Sequence, residues 1–229
     1  AALNVTVDTT VFAPSIPDLD TADDTGISNS DDLTYQISGL TFSGTAEADS
    51  IVTLFNDADD NSVMDSVESL GTANAIAGSW TIDAALSEGV YNIKAITTDL
   101  AGNESVPSSG LPVTIDTTPP PTPPYLRLNY ADDTGISWND GITSQTSDLT
   151  FIGYDFSGGL EVGSTIILFK DDNNNDLVDN GESLGSAAVT WDVEIGTRWS
   201  LDTALTYGTY SIKAIAMDDA GNMSAASTA

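Results

Sequence analysis

Two twelve-residue segments concentrate oxygen-bearing side chains, and each comes shortly after an apolar run. The later one, "DDNNNDLVDNGE" at 171–182, holds five carboxylates and four Asn amides and follows "STIILF". The earlier one, "DADDNSVMDSVE" at 57–68, also holds five carboxylates and follows "SIVTLFN". Like charges at such density repel one another unless a cation lies between them. Carboxylate and amide oxygens are the ligands that Ca²⁺ and Mg²⁺ prefer, so both segments predict cation sites.

The register of the two segments defines the ligands. An EF-hand-type loop supplies oxygens from positions 1, 3, 5, 7, 9 and 12, and a ligand set of this size suits calcium better than magnesium. Position 6, usually Gly, is Ser62 or Asp176. The alternative is a solvated acidic turn that binds nothing. The predicted ligands are Asp57, Asp59, Asn61, the Val63 carbonyl, Asp65 and Glu68, and then Asp171, Asn173, Asn175, the Leu177 carbonyl, Asp179 and Glu182.

Composition restricts the function classes. The 229 residues include 35 Asp and Glu against five Lys and Arg, for a net charge of −30. We expect no nucleic-acid partner and no membrane contact, because both surfaces attract basic proteins. There is no Cys and no His, which excludes disulfides, Cys/His zinc sites and a Ser-His-Asp triad. We expect no enzyme, since the acidic clusters lie in turns with metal-ligand spacing and no cleft-forming segment is evident. Absence of Cys favours a bacterial surface protein.

The chain is two copies of one unit. "ADDTGIS" begins at residues 22 and 131, "ESLG" at 68 and 182, and "YNIKAITTDLAGNES" at 91 matches "YSIKAIAMDDAGNMS" at 210. Matches in the same order along the whole chain indicate tandem domains. We assign the domains to 1–116 and 117–229, joined by the short Pro-rich linker "DTTPPPTPP". Residues 1–8 are a candidate strand of a preceding repeat.

Each copy is predicted to be all-β. Short β-branched runs such as "SIVTLFN", "GSWTIDAAL", "VYNIKAITTD" and "LPVTID" are bounded by turn residues. Their number and spacing predict two tandem immunoglobulin-like β-sandwich domains in an elongated arrangement. Trp80 and Trp199 occupy equivalent positions, as do Tyr91 and Tyr210, and we assign these aromatic residues to the cores. A β-helix is the weaker alternative, because its repeats would be far shorter.

Further acidic residues lie in "DDTG" and "DLAGN" turns. If the strands alternate in direction, the "DDTG" turn lies at the pole where the chain leaves a domain. The "DLAGN" turn then lies at the opposite pole, which in the second copy faces the first. The sequence therefore predicts an interdomain calcium site with ligands among Asp23, Asp24, Asp116 and Asp218. The alternative is that these Asp residues only form turns.

The two copies differ in ways that suggest partners. The second copy has extra residues between Gly153 and Ser164 and between Gly185 and Trp199. Three interpretations stay open: these extended loops pack on the first copy, they are plain variation in loop length, or they form a glycan- or protein-binding patch with Tyr154, Phe156 and Trp191. The segment "LNVTVD" at 3–8 also resembles "LPVTID" at 111–116. Leu3–Val7 could therefore be added to the sheet of a neighbouring copy, head to tail.

The segments "DTTPP", "DDTGIS" and "DLAGN" resemble those of bacterial Ig-like tandem repeats in the extender regions of large RTX-type and biofilm-associated surface adhesins. The resemblance covers nearly the whole chain, in both copies. It implies a structural spacer that stacks on neighbouring repeats of the same long chain, outside the cell on the bacterial surface. It also implies calcium at the domain junctions. The EF-hand-type loops and the two insertions depart from the simplest repeat.

Overall fold

The protein is all-β in the computed structural model, which describes residues 2–155, 159–194 and 196–228. Its chain divides into two compact units, Ala1–Thr117 and Thr118–Ala229, called unit 1 and unit 2 below. Among the described residues, no helix is long and apolar enough to cross a membrane.

Unit 1 is built from two sheets with the strand orders β1-β3-β6 and β2-β8-β7-β4-β5. Neighbouring strands are antiparallel, except that β2 and β8 are parallel. In β6, alternate residues Trp80, Ile82 and Ala84 are buried and pack with the other core residues of the unit. The strands are β1 (Asp18–Leu19), β2 (Leu33–Thr34), β3 (Ser38–Thr45), β4 (Ile51–Asn56), β5 (Ser69–Asn74), β6 (Ser79–Ala85), β7 (Gly89–Thr98) and β8 (Leu111–Ile115).

Unit 2 repeats this arrangement with two differences. Its sheets have the orders β9-β10-β14-β13 and β12-β11-β15. The second insertion forms β13, an added strand that pairs with β14, whereas the first insertion lies in the loop between β10 and β11. Within the described part of unit 2, β15 pairs with β11 alone. The strands are β9 (Arg127–Leu128), β10 (Leu149–Asp155), β11 (Thr165–Lys170), β12 (Ser183–Ala188), β13 (Thr190–Asp192), β14 (Gly196–Thr203) and β15 (Ile212–Met217).

The two equivalent tryptophans are core residues, as predicted. Trp80 and Trp199 are each 2% exposed. Each lies directly across the ladder from a glycine, Gly44 or Gly153. A Cβ atom on Gly44 would lie 2.6 Å from the Trp80 ring, and one on Gly153 would lie 2.4 Å from the Trp199 ring. These glycines are therefore required because the indole ring covers the neighbouring backbone.

The equivalent tyrosines lie at the edge of the core, and Tyr91 packs against the buried residues of unit 1 as predicted. Tyr91 and Tyr210 are only partly buried. The Tyr91 hydroxyl donates to the Ser87 carbonyl at 2.8 Å, and the Tyr210 hydroxyl donates to the Thr206 carbonyl at 3.0 Å. A tyrosine hydroxyl that bonds a backbone carbonyl a few residues upstream is the tyrosine corner of immunoglobulin-like sandwiches. These side chains are only half-buried because their hydroxyls bond the connection that precedes the strand.

Candidate metal centre

Both twelve-residue loops join two strands of an antiparallel hairpin. The first connects β4 to β5, and the second connects β11 to β12. Both hairpins have a register shift at the same place, between Leu54 and Phe55 and between Leu168 and Phe169. One backbone bond closes each base at 3.0 Å, from Asn56 N–H to the Glu68 carbonyl in the first loop. The strands thus hold the loops in matching positions.

The position-1 carboxylates organise the loop backbone from inside. Asp57 and Asp171 are each only 2% exposed. The Ser62 N–H donates to Asp57 Oδ2 at 3.2 Å, and the Asn175 N–H donates to Asp171 Oδ1 at 3.0 Å. These bonds turn the backbone of the loop around the first predicted ligand.

The backbone accommodates the missing glycine at position 6. Ser62 and Asp176 have φ values of 59° and 64°, in the left-handed region that favours glycine. Position 4 is left-handed as well, with φ of 56° at both Asp60 and Asn174. The two loops therefore share one backbone conformation despite their different sequences, and a non-glycine residue adopts it at some conformational cost.

The position-12 glutamates hydrogen-bond two distant parts of each loop. Glu68 Oε1 accepts from the Ala58 N–H and Oε2 accepts from the Asp65 N–H, both at 3.0 Å. Glu182 makes the corresponding bonds to the Asp172 and Asp179 N–H groups, also at 3.0 Å. Each glutamate thus connects the start of its loop to position 9.

The intermediate positions complete the arrangement. In the first loop, oxygens of Asp57, Asp59 and Glu68 all lie within 4.8 Å of one another. In the second, the amides of Asn173 and Asn175 donate to Asp179 Oδ2 at 2.7 and 2.8 Å.

At position 7, the Val63 and Leu177 side chains are exposed. Their N–H groups donate to the Oδ1 atoms of Asn61 and Asn175 at position 5, at 2.6 and 2.8 Å. The carboxylate and amide oxygens of each loop are of the type that coordinates a hard cation such as Ca²⁺.

Each loop also contacts a lysine that the ligand spacing did not indicate. Lys94 on β7 places its Nζ atom 2.5 Å from Asp57 Oδ2 and 3.0 Å from Ser62 Oγ. Lys213 on β15 places its Nζ atom 2.6 Å from Asp171 Oδ2 and also contacts Asp176. A signal for them existed, because two of the three lysines of this acidic chain occupy equivalent positions in "IKAI".

The lysines alter the protonation of the position-1 carboxylates. Burial raises the pKa of Asp57. The hydrogen bond and charge of Lys94, together with the loop N–H groups, lower that pKa by more than burial raises it, so it lies below the usual value. The hydrogen bond from Lys213 likewise lowers the pKa of Asp171, and Asp171 raises the pKa of Lys213. Asp57 and Asp171 are therefore carboxylates at neutral pH, and Lys213 is an ammonium group. A metal ion would compete with an ammonium group for the same carboxylate.

The "DDTG" aspartates have unequal roles. Asp23 accepts from the Gln36 amide at 2.9 Å and from the Thr41 N–H at 2.8 Å, so its two oxygens bond the connection before β3 and β3 itself. Asp24 is 5% exposed, and its Oδ1 atom is buried without a hydrogen-bond partner. Burial is the main cause that raises the pKa of Asp24. Asp133, the equivalent residue of unit 2, repeats this buried Oδ1 atom without a partner.

The other two proposed junction residues lie in ordered local structure. Asp218 Oδ1 accepts from the Asn222 N–H at 2.8 Å, and its Oδ2 accepts from the Asn222 amide at 3.0 Å. These are turn-forming bonds of the kind that the alternative interpretation gives to aspartate. The Asp116 N–H donates to the Thr34 carbonyl at 2.9 Å, which extends the ladder between β8 and β2.

The alternative ligand patch is described only in part. Trp191 lies on β13 and is 63% exposed, and Tyr154 lies on β10. Phe156, the third predicted member, lies outside the described residues.

Comparison with known proteins gives a family match within unit 1. Residues 10–117 match the family model of the bacterial Ig-like domain, which supports the prediction of a bacterial Ig-like repeat. Domains of this kind are typically non-enzymatic, extracellular surface modules. No curated protein matches the chain significantly.

Three solved structures align with the chain at low sequence identity. The fibronectin(III)-like modules of CbhA from Clostridium thermocellum are 16% identical, with 93% of this chain and 91% of that chain covered and a TM-score of 0.48. The chicken CNTN1 FN1-FN3 domains are 12% identical, with coverages of 94% and 64% and a TM-score of 0.49. The human OSCAR ligand-binding domain is 13% identical, with coverages of 97% and 100% and a TM-score of 0.33. The fold assignment rests on the strands and sheets described above.

Proposed function

We propose that this protein, whose residues 10–117 match the bacterial Ig-like domain, is a calcium-rigidified spacer of a large bacterial surface adhesin. Its role would be structural, outside the cell, in surface attachment and biofilm formation. The observation that supports the proposal is the pair of acidic loops that share left-handed backbone at positions 4 and 6 and the same glutamate hydrogen bonds at position 12. Its partners would be neighbouring Ig-like repeats of the same long chain.

The mechanism is electrostatic. At a net charge of −30, the chain repels itself, and divalent cations remove that repulsion where carboxylates are most concentrated. A cation that binds only the folded loop stabilises it by mass action, by about 2.7 kcal/mol at a hundredfold excess over the dissociation constant. Calcium fits such a site because it accepts six to eight flexible oxygen ligands.

A second class of calcium site would stiffen the junction between the units. The proposed ligands are Asp23, Asp24, Asp116 and Asp218. Support within unit 1 is the buried Asp24 Oδ1 atom, which has no hydrogen-bond partner. An unpaired buried oxygen costs about 1–3 kcal/mol, which a cation would offset. Because Asp23 and Asp218 use both of their oxygens in local bonds, they would share an oxygen with the ion.

Small-angle scattering tests the junction site. We expect calcium to lower the interdomain flexibility of the 229-residue chain, and we expect Asp24→Asn to abolish that change because the ion loses its central ligand. Asp133→Asn is the matched control, since Asp133 has the same buried Oδ1 atom without a partner but is not among the proposed junction ligands. Scattering curves that do not respond to calcium would sink the junction proposal.

Strand addition is a further proposed mode of association. In unit 1, β8 pairs with β7 and buries Val113 and Ile115, which are 0% and 1% exposed. Leu3–Val7 matches β8 in sequence but lies outside the sheets, with Val5 and Val7 72% and 82% exposed. In unit 1, β8 pairs with residues 89–93 of β7. The equivalent residues of unit 2, 208–212, have no such partner strand within the described residues, whereas Ser224 and Ser227 already bond Ala216 and Ala214 farther along the same edge of β15. Leu3–Val7 of a neighbouring copy would therefore occupy the place that β8 has in unit 1.

Sedimentation over a hundredfold range of protein concentration tests strand addition. We expect head-to-tail oligomers at high concentration and their loss in Val5→Asp plus Val7→Asp, because buried carboxylates would oppose docking. Val193→Asp, at a residue that is 90% exposed, is the control and should leave association unchanged. A wild-type chain that stays monomeric throughout would contradict the proposal.

A further inference from the structure

The outer face of one sheet in unit 2 is basic and aromatic. Strand β10 buries Phe151, Gly153 and Asp155 and turns Ile152 and Tyr154 outward. The ladder places Arg127 beside Ile152 and Arg198 beside Tyr154. Both arginines of this acidic chain thus lie on one face. We call it the arginine–tyrosine face, formed by Tyr125, Arg127, Tyr130, Trp138, Tyr154 and Arg198.

The aromatic rings of this face form a connected cluster around Arg127. The guanidinium carbon lies 3.6 Å from the Tyr130 ring centroid and 5.3 Å from that of Tyr154. Tyr125 stacks on Tyr154 with centroids 5.8 Å apart, and Trp138 meets the edge of Tyr130 at 4.8 Å. Tyr125, Tyr130 and Trp138 remain 65%, 45% and 60% exposed. Large exposed rings of this kind are ready contact surfaces for a ligand.

Unit 1 shows that the fold does not need this cluster. The ladder places Asp18 beside Ser43, where unit 2 has Arg127 beside Ile152. It likewise places Thr45 beside Ser79, where unit 2 has Tyr154 beside Arg198. Small polar or acidic residues therefore serve at these positions in the same sandwich. The charge reversal from Asp18 to Arg127 calls for a cause other than folding.

Arg127 is unusual among the five basic residues. The other four each form an ion pair with an aspartate: Lys94, Lys170, Lys213 and Arg198. Within residues 2–155, 159–194 and 196–228, the side chain of Arg127 has no hydrogen bond or ion pair, and its Nε atom is buried without an acceptor. Its guanidinium contacts only aromatic rings there, and a planar guanidinium matches a carboxylate.

We infer that the arginine–tyrosine face binds an acidic glycan, a chain of carboxylate-bearing pyranoses such as uronates. The sugar carboxylates pair with Arg127 and Arg198, which flank β10. The C–H faces of the pyranose rings lie on the exposed rings of Tyr125 and Trp138, where the negative ring face meets weakly positive C–H bonds. The net charge of −30 does not prevent this, because its field is screened within about 8 Å at physiological ionic strength. This role goes beyond the proposed spacer and uses none of its calcium ligands.

Calorimetric titration of the 229-residue chain with three hexamers tests the inference. The probes are hexagalacturonate, neutral galactohexaose and hexaglutamate, each used with calcium and with chelator. We expect hexagalacturonate to bind in both buffers, to weaken as salt increases, and to perturb the tryptophan fluorescence. We expect the other two probes to bind at least tenfold more weakly.

Variants that restore the unit 1 residues locate the site. Arg127→Asp, Arg198→Ser and Trp138→Asn should each weaken hexagalacturonate binding at least tenfold. Because the Trp138 side chain is exposed, its replacement should leave the fold intact. Trp191→Ala removes an equally exposed tryptophan outside the face and should change affinity less than twofold.

Equal binding of the neutral hexamer would overturn the role of the arginines, and equal binding of hexaglutamate would overturn the assignment to a glycan. Absence of binding by all three probes would overturn the site, whatever the calcium experiments show.

Discussion

Calcium is expected to raise the unfolding temperature of each unit by about 10 °C at a hundredfold excess over the dissociation constant. The increment in unit 1 should vanish in Asp57→Asn plus Glu68→Gln. The increment in unit 2 should vanish in Asp171→Asn plus Glu182→Gln. These changes keep side-chain size and remove the charges of positions 1 and 12, the most buried ligands of each loop. Calorimetric melting with calcium and with chelator measures the effect.

A matched control distinguishes loss of the calcium site from a general reduction of the negative charge. Asp83→Asn plus Asp202→Asn removes two exposed carboxylates from the strands β6 and β14, far in sequence from either loop. This variant should keep the full calcium increment. A wild-type melting temperature that does not respond to calcium would contradict the central proposal. If the loop variants kept the calcium-induced rise in melting temperature, calcium would bind at a site other than these loops.

Replacing Lys94 or Lys213 is expected to strengthen calcium binding and weaken the calcium-free fold. Lys94→Met or Lys213→Met removes an ammonium group that bonds the position-1 carboxylate at 2.5 or 2.6 Å. Repulsion between such a charge and a divalent ion a few ångströms away amounts to several kcal/mol at an effective dielectric constant of about 20. We therefore expect calcium affinity to rise at least tenfold, as measured by calorimetric titration.

The same variants should melt at lower temperature in chelator, because a buried carboxylate without its partner is strongly destabilising, by about 3–5 kcal/mol. Calcium should restore the melting temperature. Lys170→Met is the matched control, since Lys170 pairs with the half-exposed Asp172 and does not contact a position-1 residue. Loss of calcium binding in Lys94→Met would show instead that the lysine orients Asp57 for the ion.

The longer strands could be predicted because their residues carry the pattern themselves. The β-branched runs predict β4, β6, β7 and β8 to within a residue or two. The strands β1 and β2 contain two residues each and have no periodic run. They exist because neighbouring strands offer free ladder positions, and β2 forms against β8 about eighty residues later in the chain. The run "TYQISGLTFSG" at 34–44 alternates apolar and polar residues as one strand would, yet Thr34 belongs to β2 and β3 begins only at Ser38.

The loops were predictable for a different reason. Two copies of one pattern fix the register, so the candidate ligands follow from spacing alone. The lysines could not be assigned to the same site, because Lys94 lies 37 residues from Asp57 in the chain. Their proximity arises when β7 pairs with β4. The arginine–tyrosine face is equally invisible in the sequence, since β9, β10 and β14 bring its members together only in the folded sheet.

The parallel pair of β2 and β8 has a mechanical consequence. Strand β8 ends at Ile115, just before the linker, and is held by Thr114 N–H to the Asp32 carbonyl and Asp116 N–H to the Thr34 carbonyl, both at 2.9 Å. A stretching force pulls the amino end of β2 backwards and the carboxyl end of β8 forwards. Because the strands run in the same direction, that force slides them past each other, and the bonds across the pair bear the load together. Unit 1 is thus built so that traction on its two ends meets shear resistance and does not unzip the sheet one bond at a time.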